Sequence, residues 1–202
     1  MKKIYYYDNK SIDFLSDVDK ELGKVIENTG FIKRYVYDDF FEGLCYNIIN
    51  QQLSMKSADT IFSGLKNRFG TLSPEKLTDE NEIRNSGLPK TKARCISECA
   101  VLFSQGSWTD EMFWKMTDSE VIEALTKVRG IGIWTAEMTL IFCLGRQDIL
   151  SLSDYGIRKG LNALHGVDVK DKAEMEKYRK LYSPYGTVAS FYLWEAAKEK
   201  KC

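Results

Sequence analysis

Apolar residues recur at intervals of three and four along almost all of this 202-residue chain, and that spacing restricts it to packed helices. Val18, Leu22, Val25 and Ile26 share one helical face, with Gly30 placed to end it. Phe40, Phe41, Leu44, Cys45, Ile48 and Ile49 make a second stripe. Ser54 reads as an N-cap before Ala58, Ile61, Phe62, Leu65 and Phe69, which Gly70 stops. Ser73-Pro74 opens a short helix, Asn81 to Ser86 a turn, and Lys90 to Phe103 a longer helix. Thr117 and Glu120 have the spacing of a capping box before Val121, Ile122, Leu125 and Val128. Further helices are expected over 133–144, from Asp154 to about His165, and over 171–182 and 186–200. No alternating stretch is long enough for a strand, so the expectation is all-α, about ten helices with short loops.

Composition sets outer bounds. At 44% hydrophobic and 29% charged, the chain has apolar material for a sizeable core. Lys plus Arg and Asp plus Glu are 29 each, so bulk positive charge cannot attract nucleic acid, although a local basic face remains open. The uncharged runs 43–55 and 181–194 fall short of the ~20 apolar residues of a membrane helix, and the start has no signal-peptide core. Five cysteines (Cys45, Cys95, Cys99, Cys143 and Cys202), an odd count set largely in helical patterns, read as reduced thiols of a cytoplasmic protein. Cys95 and Cys99 share a helix face, but no second pair joins them and the single histidine is His165.

The chemistry-bearing stretch begins at Leu125-Thr-Lys-Val-Arg-Gly-Ile-Gly-Ile-Trp-Thr-Ala-Glu137. Two helices meet at Gly130-Ile131-Gly132, where alternate glycines permit positive φ and close backbone approach. The N–H groups opening the second helix would converge on one spot suited to phosphate, although such a turn by itself also serves as a plain connection. Asp154 follows twenty residues after Trp134, and on local grounds an Asp before a helix is usually just an N-cap.

Taken together, Val128-Arg-Gly-Ile-Gly-Ile-Trp-Thr-Ala136 and Asp154-Tyr-Gly-Ile-Arg-Lys-Gly160 resemble the helix-hairpin-helix superfamily of base-excision DNA glycosylases, within it the DNA-3-methyladenine glycosylase II branch. Phe41-Glu-Gly-Leu44 leading to Ile48-Ile-Asn-Gln-Gln-Leu-Ser54, Gly87-Leu-Pro-Lys-Thr-Lys-Ala93, and Ser183-Pro-Tyr-Gly-Thr-Val-Ala189 with Trp194 extend the likeness over about Val18 to Ala197. The resemblance implies two helical lobes, 37–145 with the hairpin and 1–36 plus 146–202, with a DNA-binding cleft between them. It implies Asp154 as the catalytic carboxylate, and a base pocket of Trp134, Met138, Tyr192 and Trp194. DNA contacts would come from Arg129, Gly130, Ile131, Gly132, Thr135, Arg158 and Lys159. Gln52, or alternatively Leu53, would fill the gap left by the flipped base. The backbone carbonyls of Thr126, Val128 and Ile131 would hold a monovalent cation, Na+ or K+, and no other cofactor is expected.

Departures from the pattern bear on substrate rather than superfamily. Arg129 stands where many relatives have proline, Met138 and Glu195 where a bacterial relative has tyrosines, and Gly186 where arginine is common. Residues 1–36 are too short for the extra N-terminal β-domain some relatives carry. Arg84, Lys90, Lys92 and Arg94, with Arg129, Arg158 and Lys159, are candidates for the local basic face. The expected protein is a monomeric, cytoplasmic (in a prokaryote, nucleoid-associated) monofunctional DNA glycosylase that removes alkylated purines of the 3-methyladenine type from damaged duplex DNA. The rivals are an oxidised-base (8-oxoguanine type) glycosylase with lyase activity and a non-enzymatic hairpin module that only binds DNA.

Overall fold

The computed structural model describes residues 2–199, the side chain of Glu199 excepted. Among them are twelve α-helices: α1 (Asn9–Val18), α2 (Lys20–Thr29), α3 (Phe40–Asn50), α4 (Met55–Phe69), α5 (Glu80–Arg84), α6 (Lys90–Ser104), α7 (Asp110–Lys115), α8 (Asp118–Thr126), α9 (Ile133–Phe142), α10 (Tyr155–His165), α11 (Lys172–Tyr182) and α12 (Gly186–Glu199). The all-α reading holds. Cys202 and the expected helix end at Lys200 lie outside the described residues.

Four local differences have simple causes. The first helical stripe is two helices, because Asp19 leaves helical geometry and caps α2 through the N–H groups of Glu21 and Leu22. The Ser73-Pro74 helix is a single 3-10 turn, Pro74–Lys76. Asp110–Lys115 forms a helix that the periodicity did not reveal, opened by Thr109, since six residues carry too few repeats to register. Strands β1 (Lys2–Ile4) and β2 (Tyr35–Tyr37) pair in a two-stranded sheet, each too short for a period of two to show. The capping box forms as read: Thr117 accepts from the Glu120 N–H, and the Glu120 carboxylate accepts from the Thr117 N–H.

The chain divides into two compact units, Met1–Lys3 with Val36–Leu144 and Ile4–Tyr35 with Gly145–Cys202. The first holds α3 to α9 around Phe40, Leu44, Ile48, Ile49, Leu65, Ile96, Phe113 and Leu140, all buried. Phe40 stacks on Phe113 at 4.4 Å between ring centres. Here α3 lies beside α9, and Gly43 allows it: a Cβ there would meet Cys143 Sγ at 2.5 Å.

The second unit packs α1, α2, α10, α11 and α12 around Leu15, Leu22, Leu161, Tyr182, Phe191 and Leu193. Helices α10 and α12 cross closely at Gly160, whose Cβ would sit 2.3 Å from the Leu193 carbonyl oxygen. No described helix is long and apolar enough to cross a membrane.

Candidate active site and hairpin

In the first unit, α8 ends at Thr126 and two successive tight turns follow, Val128 N–H to Leu125 carbonyl and Ile131 N–H to Val128 carbonyl, both 3.1 Å. Val128 and Ile131 are buried and anchor the turn, while Arg129, Gly130 and Gly132 are exposed. The two glycines differ in their reasons. Gly130 has φ +103°, a conformation that strains any L residue. Gly132 has φ −97° and ψ 175°, ordinary extended backbone, so the positive φ expected at both glycines is confined to Gly130. What Gly132 supplies is openness: nothing lies within 4 Å of the Cβ it lacks, and as the N-cap of α9 it offers no capping side chain. The N-cap thus gives no side-chain hydrogen bond to the first turn of α9, which opens beside exposed Ile133.

Trp134 is half-buried and Met138 buried on α9. Thr135 is buried, and its hydroxyl accepts from Gln51 Nε2 at 2.9 Å, so any part it plays toward a phosphate falls to its backbone N–H.

The loop after α3 carries the two candidates for the flipped-base gap. Gln52 is exposed at φ +56°, the one non-glycine residue with positive φ among those described. Leu53 is also exposed, its N–H turned back to the Asn50 carbonyl at 3.3 Å. Ser54 then caps α4 through the Ser57 N–H. Lys92 from α6 reaches this loop, donating to the carbonyls of Ile49 at 2.7 Å and Gln51 at 2.8 Å. Burial there pulls its ammonium below the ordinary lysine range.

The expected basic face is accordingly thinner than the sequence suggested. Lys92 points inward, and Arg94 is paired with Glu98 at 2.7 Å. Arg84 and Lys90 are exposed along an open groove they share with Asn81, Asn85, Gly87 and Pro89.

The second unit holds Asp154, nine-tenths buried, at the N-cap of α10. Its Oδ1 accepts from the Ile157 N–H at 2.8 Å and from the Trp194 indole N–H at 2.9 Å. The N-cap reading is realised, and a second donor, from α12, holds the same oxygen. Gly156 makes the contact sterically possible, because a Cβ there would meet Trp194 Cδ1 at 2.8 Å and Asp154 Oδ1 at 3.1 Å. Trp194 leans on Phe191, with near-parallel rings 6.0 Å apart.

Tyr192 is corrected here. It is fully buried, its hydroxyl donates to the Gly30 carbonyl at 3.1 Å, and it faces the Tyr7 hydroxyl at 3.3 Å, so it is core of this unit and offers no face to a base. Alternate residues of one helix turn to different sides, which brings Trp194 to Asp154 and Tyr192 to the interior.

Other predicted residues also find partners. Arg158 is half-buried and makes a long contact to the Val169 carbonyl at 3.5 Å; Lys159 is half-buried beside it in sequence. Glu195 is paired with Arg34 at 2.8 Å and Lys198 at 2.6 Å. Burial would raise its carboxyl, and these two cations outweigh burial and hold it below the usual range. Gly186 starts α12 with its N–H on Asp148 Oδ1, where a Cβ would already be 3.0 Å from that oxygen. The described cysteines are free and buried. Burial holds the thiols of Cys45 and Cys143 well above their ordinary value. The Cys99 thiol is raised as well, first by its hydrogen bond with Cys95 and then by burial.

Sequence reasoning missed three parts of this arrangement: the reach of Gln51 to the hairpin, the inward turn of Lys92, and the indole–carboxylate bond. The first had a readable signal. Asn47 on α3 and Gln51 at its C-cap lie four apart in sequence, as Thr135 and Thr139 do on α9, and the pairs bond across, Asn47 Nδ2 to Thr139 Oγ1 at 3.2 Å.

Residues 45–184 match the family model described as HhH-GPD superfamily base excision DNA repair protein, well over half of the chain. The chain belongs to that superfamily. A superfamily relative, DNA-3-methyladenine glycosylase 1 of Schizosaccharomyces pombe, is 33% identical over 190 residues, covering 89% of this chain and 82% of that protein. Among solved structures, the 3-methyladenine DNA glycosylase of the same yeast in complex with abasic DNA superposes with a TM-score of 0.83 at 29% identity, covering 94% of this chain and 97% of that one. DNA-3-methyladenine glycosidase from Bacillus halodurans gives a TM-score of 0.80 at 31% identity, with 99% and 95% covered.

Proposed function

We propose that this protein is a monofunctional DNA glycosylase that flips out alkylated purines of the 3-methyladenine type from duplex DNA and hydrolyses the bond joining base to sugar. The observation that carries the reading is the Asp154 carboxylate, held by the Ile157 N–H and the Trp194 indole in a chain of this superfamily. The names of its relatives support the substrate class.

The target bond is out of reach inside a duplex, so the nucleotide must leave the stack. Breaking the bond develops positive charge on the sugar. A fixed carboxylate stabilises that charge without reorganising, and it can orient or deprotonate the attacking water. Two donors on one oxygen keep Asp154 in a single rotamer. An alkylated purine is already cationic, so it leaves with little acid assistance, and aromatic faces attract it by ~0.5–2 kcal/mol. Trp134 and Trp194 are the faces proposed to meet it.

The uncapped start of α9 at Gly132 suits a backbone phosphate, with Arg129 adding charge. Gln52, with Leu53 as the alternative, is proposed to occupy the gap in the helix. Arg158 and Lys159 are proposed to add phosphate contacts in the second unit. A hairpin Na+ or K+ fits the donor set: carbonyls are hard oxygen ligands, and the Val128 carbonyl retains a second lone pair beyond its bond to the Ile131 N–H. Thr126, Val128 and Ile131 would hold the ion, which would add positive charge where phosphate binds.

Reaction type follows from position 134. Bifunctional relatives place a lysine two residues after the second hairpin glycine, and here that residue is Trp134. Water is then the nucleophile. Incubation with duplexes carrying single defined lesions should release 3-methyladenine-type bases and leave an intact abasic strand. Borohydride should trap no protein–DNA adduct. Efficient trapping, or nicking without added alkali, would replace this reading with the oxidised-base glycosylase/lyase. Binding with no release from any lesion would leave a DNA-binding module.

A further inference from the structure

Helices α3 and α9 are joined by a polar ladder inside a largely apolar unit. Asn47 bonds to Thr139, and one turn later Gln51 bonds to Thr135. The upper rung continues outward, because the same Gln51 amide nitrogen also donates to the Gly130 carbonyl at 3.0 Å, within the hairpin turn. On the other side, Lys92 of α6 grips the carbonyls of Ile49 and Gln51. These carbonyls close α3, where helical partners run out and the helix dipole favours a cation.

The backbone held at Gln51 passes directly into Gln52 at φ +56°. A left-handed glutamine is uphill and persists only where its surroundings over-determine it. They do so here: Lys92 and the hairpin hold the residue before it, and the Leu53 N–H and the Ser54 cap hold the residues after it.

We infer that Gln51 and Lys92 are positioning residues that form a strut between the Gln52 loop and the hairpin, so that the two move as one body. Lys92 fixes the end of α3, and Gln51 carries that hold across to Gly130 and Thr135. The consequence for the reaction rests on the proposed function. Once the hairpin has seated on a phosphate, the strut sets where residue 52 stands along the strand, which ties insertion to backbone grip. The strut itself is a mechanical link and exists without DNA.

The experiment therefore has a DNA-free arm. In Gln51→Ala, amide hydrogen exchange should accelerate about five- to tenfold in peptides covering residues 50–54 and, together with them, in peptides covering 128–134. Thr135→Val, which keeps the side-chain shape, should loosen the same two segments, and Thr135→Ser should restore them. Combining Gln51→Ala with Thr135→Val should add less than the sum of the singles. Lys92→Met should loosen both segments as well.

Acceleration confined to the loop, unchanged exchange, or strict additivity would overturn the strut. Should Gln51→Ala not fold, the Thr135 pair decides on the same terms. In the DNA arm, Gln51→Ala should bind undamaged duplex within about twofold of wild type while single-turnover base release falls about tenfold. If wild-type protein releases no alkylated base, the proposed function fails and the exchange arm still decides the strut.

Discussion

Two helices of this protein begin in opposite ways. Helix α9 starts at Gly132, which has no side chain to cap it and leaves open space where a Cβ would be. Helix α10 starts at Asp154, whose carboxylate covers its own N–H group and takes a second donor from Trp194. The difference separates two uses of the same dipole. A bare start leaves its partial positive charge for an anion from outside, whereas a capped start spends it holding a carboxylate of the protein in place. In the proposed reaction the first serves grip and the second serves chemistry, so substitutions at the two starts should fail in different measurements.

The largest effect is expected at the capped start. Asp154→Asn keeps a capping oxygen, so melting temperature should change little. Base release should fall roughly 10²–10⁴-fold in single-turnover assays, with DNA binding equal or tighter because a negative charge near phosphate is gone. Near-wild-type turnover would remove Asp154 from the chemistry and reduce it to a cap. Gly156→Ala should come next. Its methyl group would force Trp194 and the carboxylate apart, lowering single-turnover release about 10–100-fold while duplex affinity holds. Unchanged release would show that the indole bond does not position the carboxylate.

At the bare start, Gly132→Val should give a folded protein, since the Cβ it adds has no atom of the chain within 4 Å and the backbone there is ordinary extended. Its cost is steric, at the face a phosphate would approach. Affinity for every duplex should drop about tenfold, with a shallower salt dependence of binding. A titration showing wild-type affinity would take the hairpin out of the DNA interface. A smaller effect distinguishes the two glycines of the turn. Gly130→Ala should lose about 1 kcal/mol of unfolding free energy because of its φ of +103°, and Gly132→Ala should lose none. Equal losses in urea titrations would mean that the turn is not held as described.

A second capping aspartate serves as a control on the comparison. Asp19 caps α2, lies 2.9 Å from His165 Nε2, and accepts from the Tyr182 hydroxyl at 2.5 Å. Burial alone would raise its carboxyl, but the close approach of His165 and the hydrogen bonds from Tyr182 and the Leu22 N–H outweigh burial and lower it from 3.8 to about 2. A lowered folded value means its stabilisation is complete above the ordinary value and is lost as pH falls through about 2. Asp19→Asn should therefore lower the urea midpoint at pH 7, with the gap to wild type narrowing from about pH 4 downward. Base release at neutral pH should stay within about twofold, because this cap holds structure only.

The two starts were visible in the sequence to different depths. Glycine at alternate positions and an aspartate before a helical stripe are local facts, and so are the caps at Ser54 and Thr117 and the stops at Gly30 and Gly70. Each depends on residues within a turn of one another, and each formed where expected. The six-residue helix at Asp110 and the three-residue strands were too short for any period to show.

What the sequence by itself determined is the helical class, most helix ends, the hairpin and the position of Asp154, because backbone capping and the 3.6-residue repeat act between near neighbours. Tertiary structure alone decided which side chains meet. Trp194 comes to Asp154 across forty residues and Gln51 to Gly130 across seventy-nine, while Tyr192, two residues from Trp194, turns into the core. Those outcomes depend on how α10 packs on α12 and α3 on α9, at Gly160 and Gly43, where the missing Cβ lets helices approach. Such approach is set by the shapes of both surfaces at once, and a linear reading sees only one of them at a time.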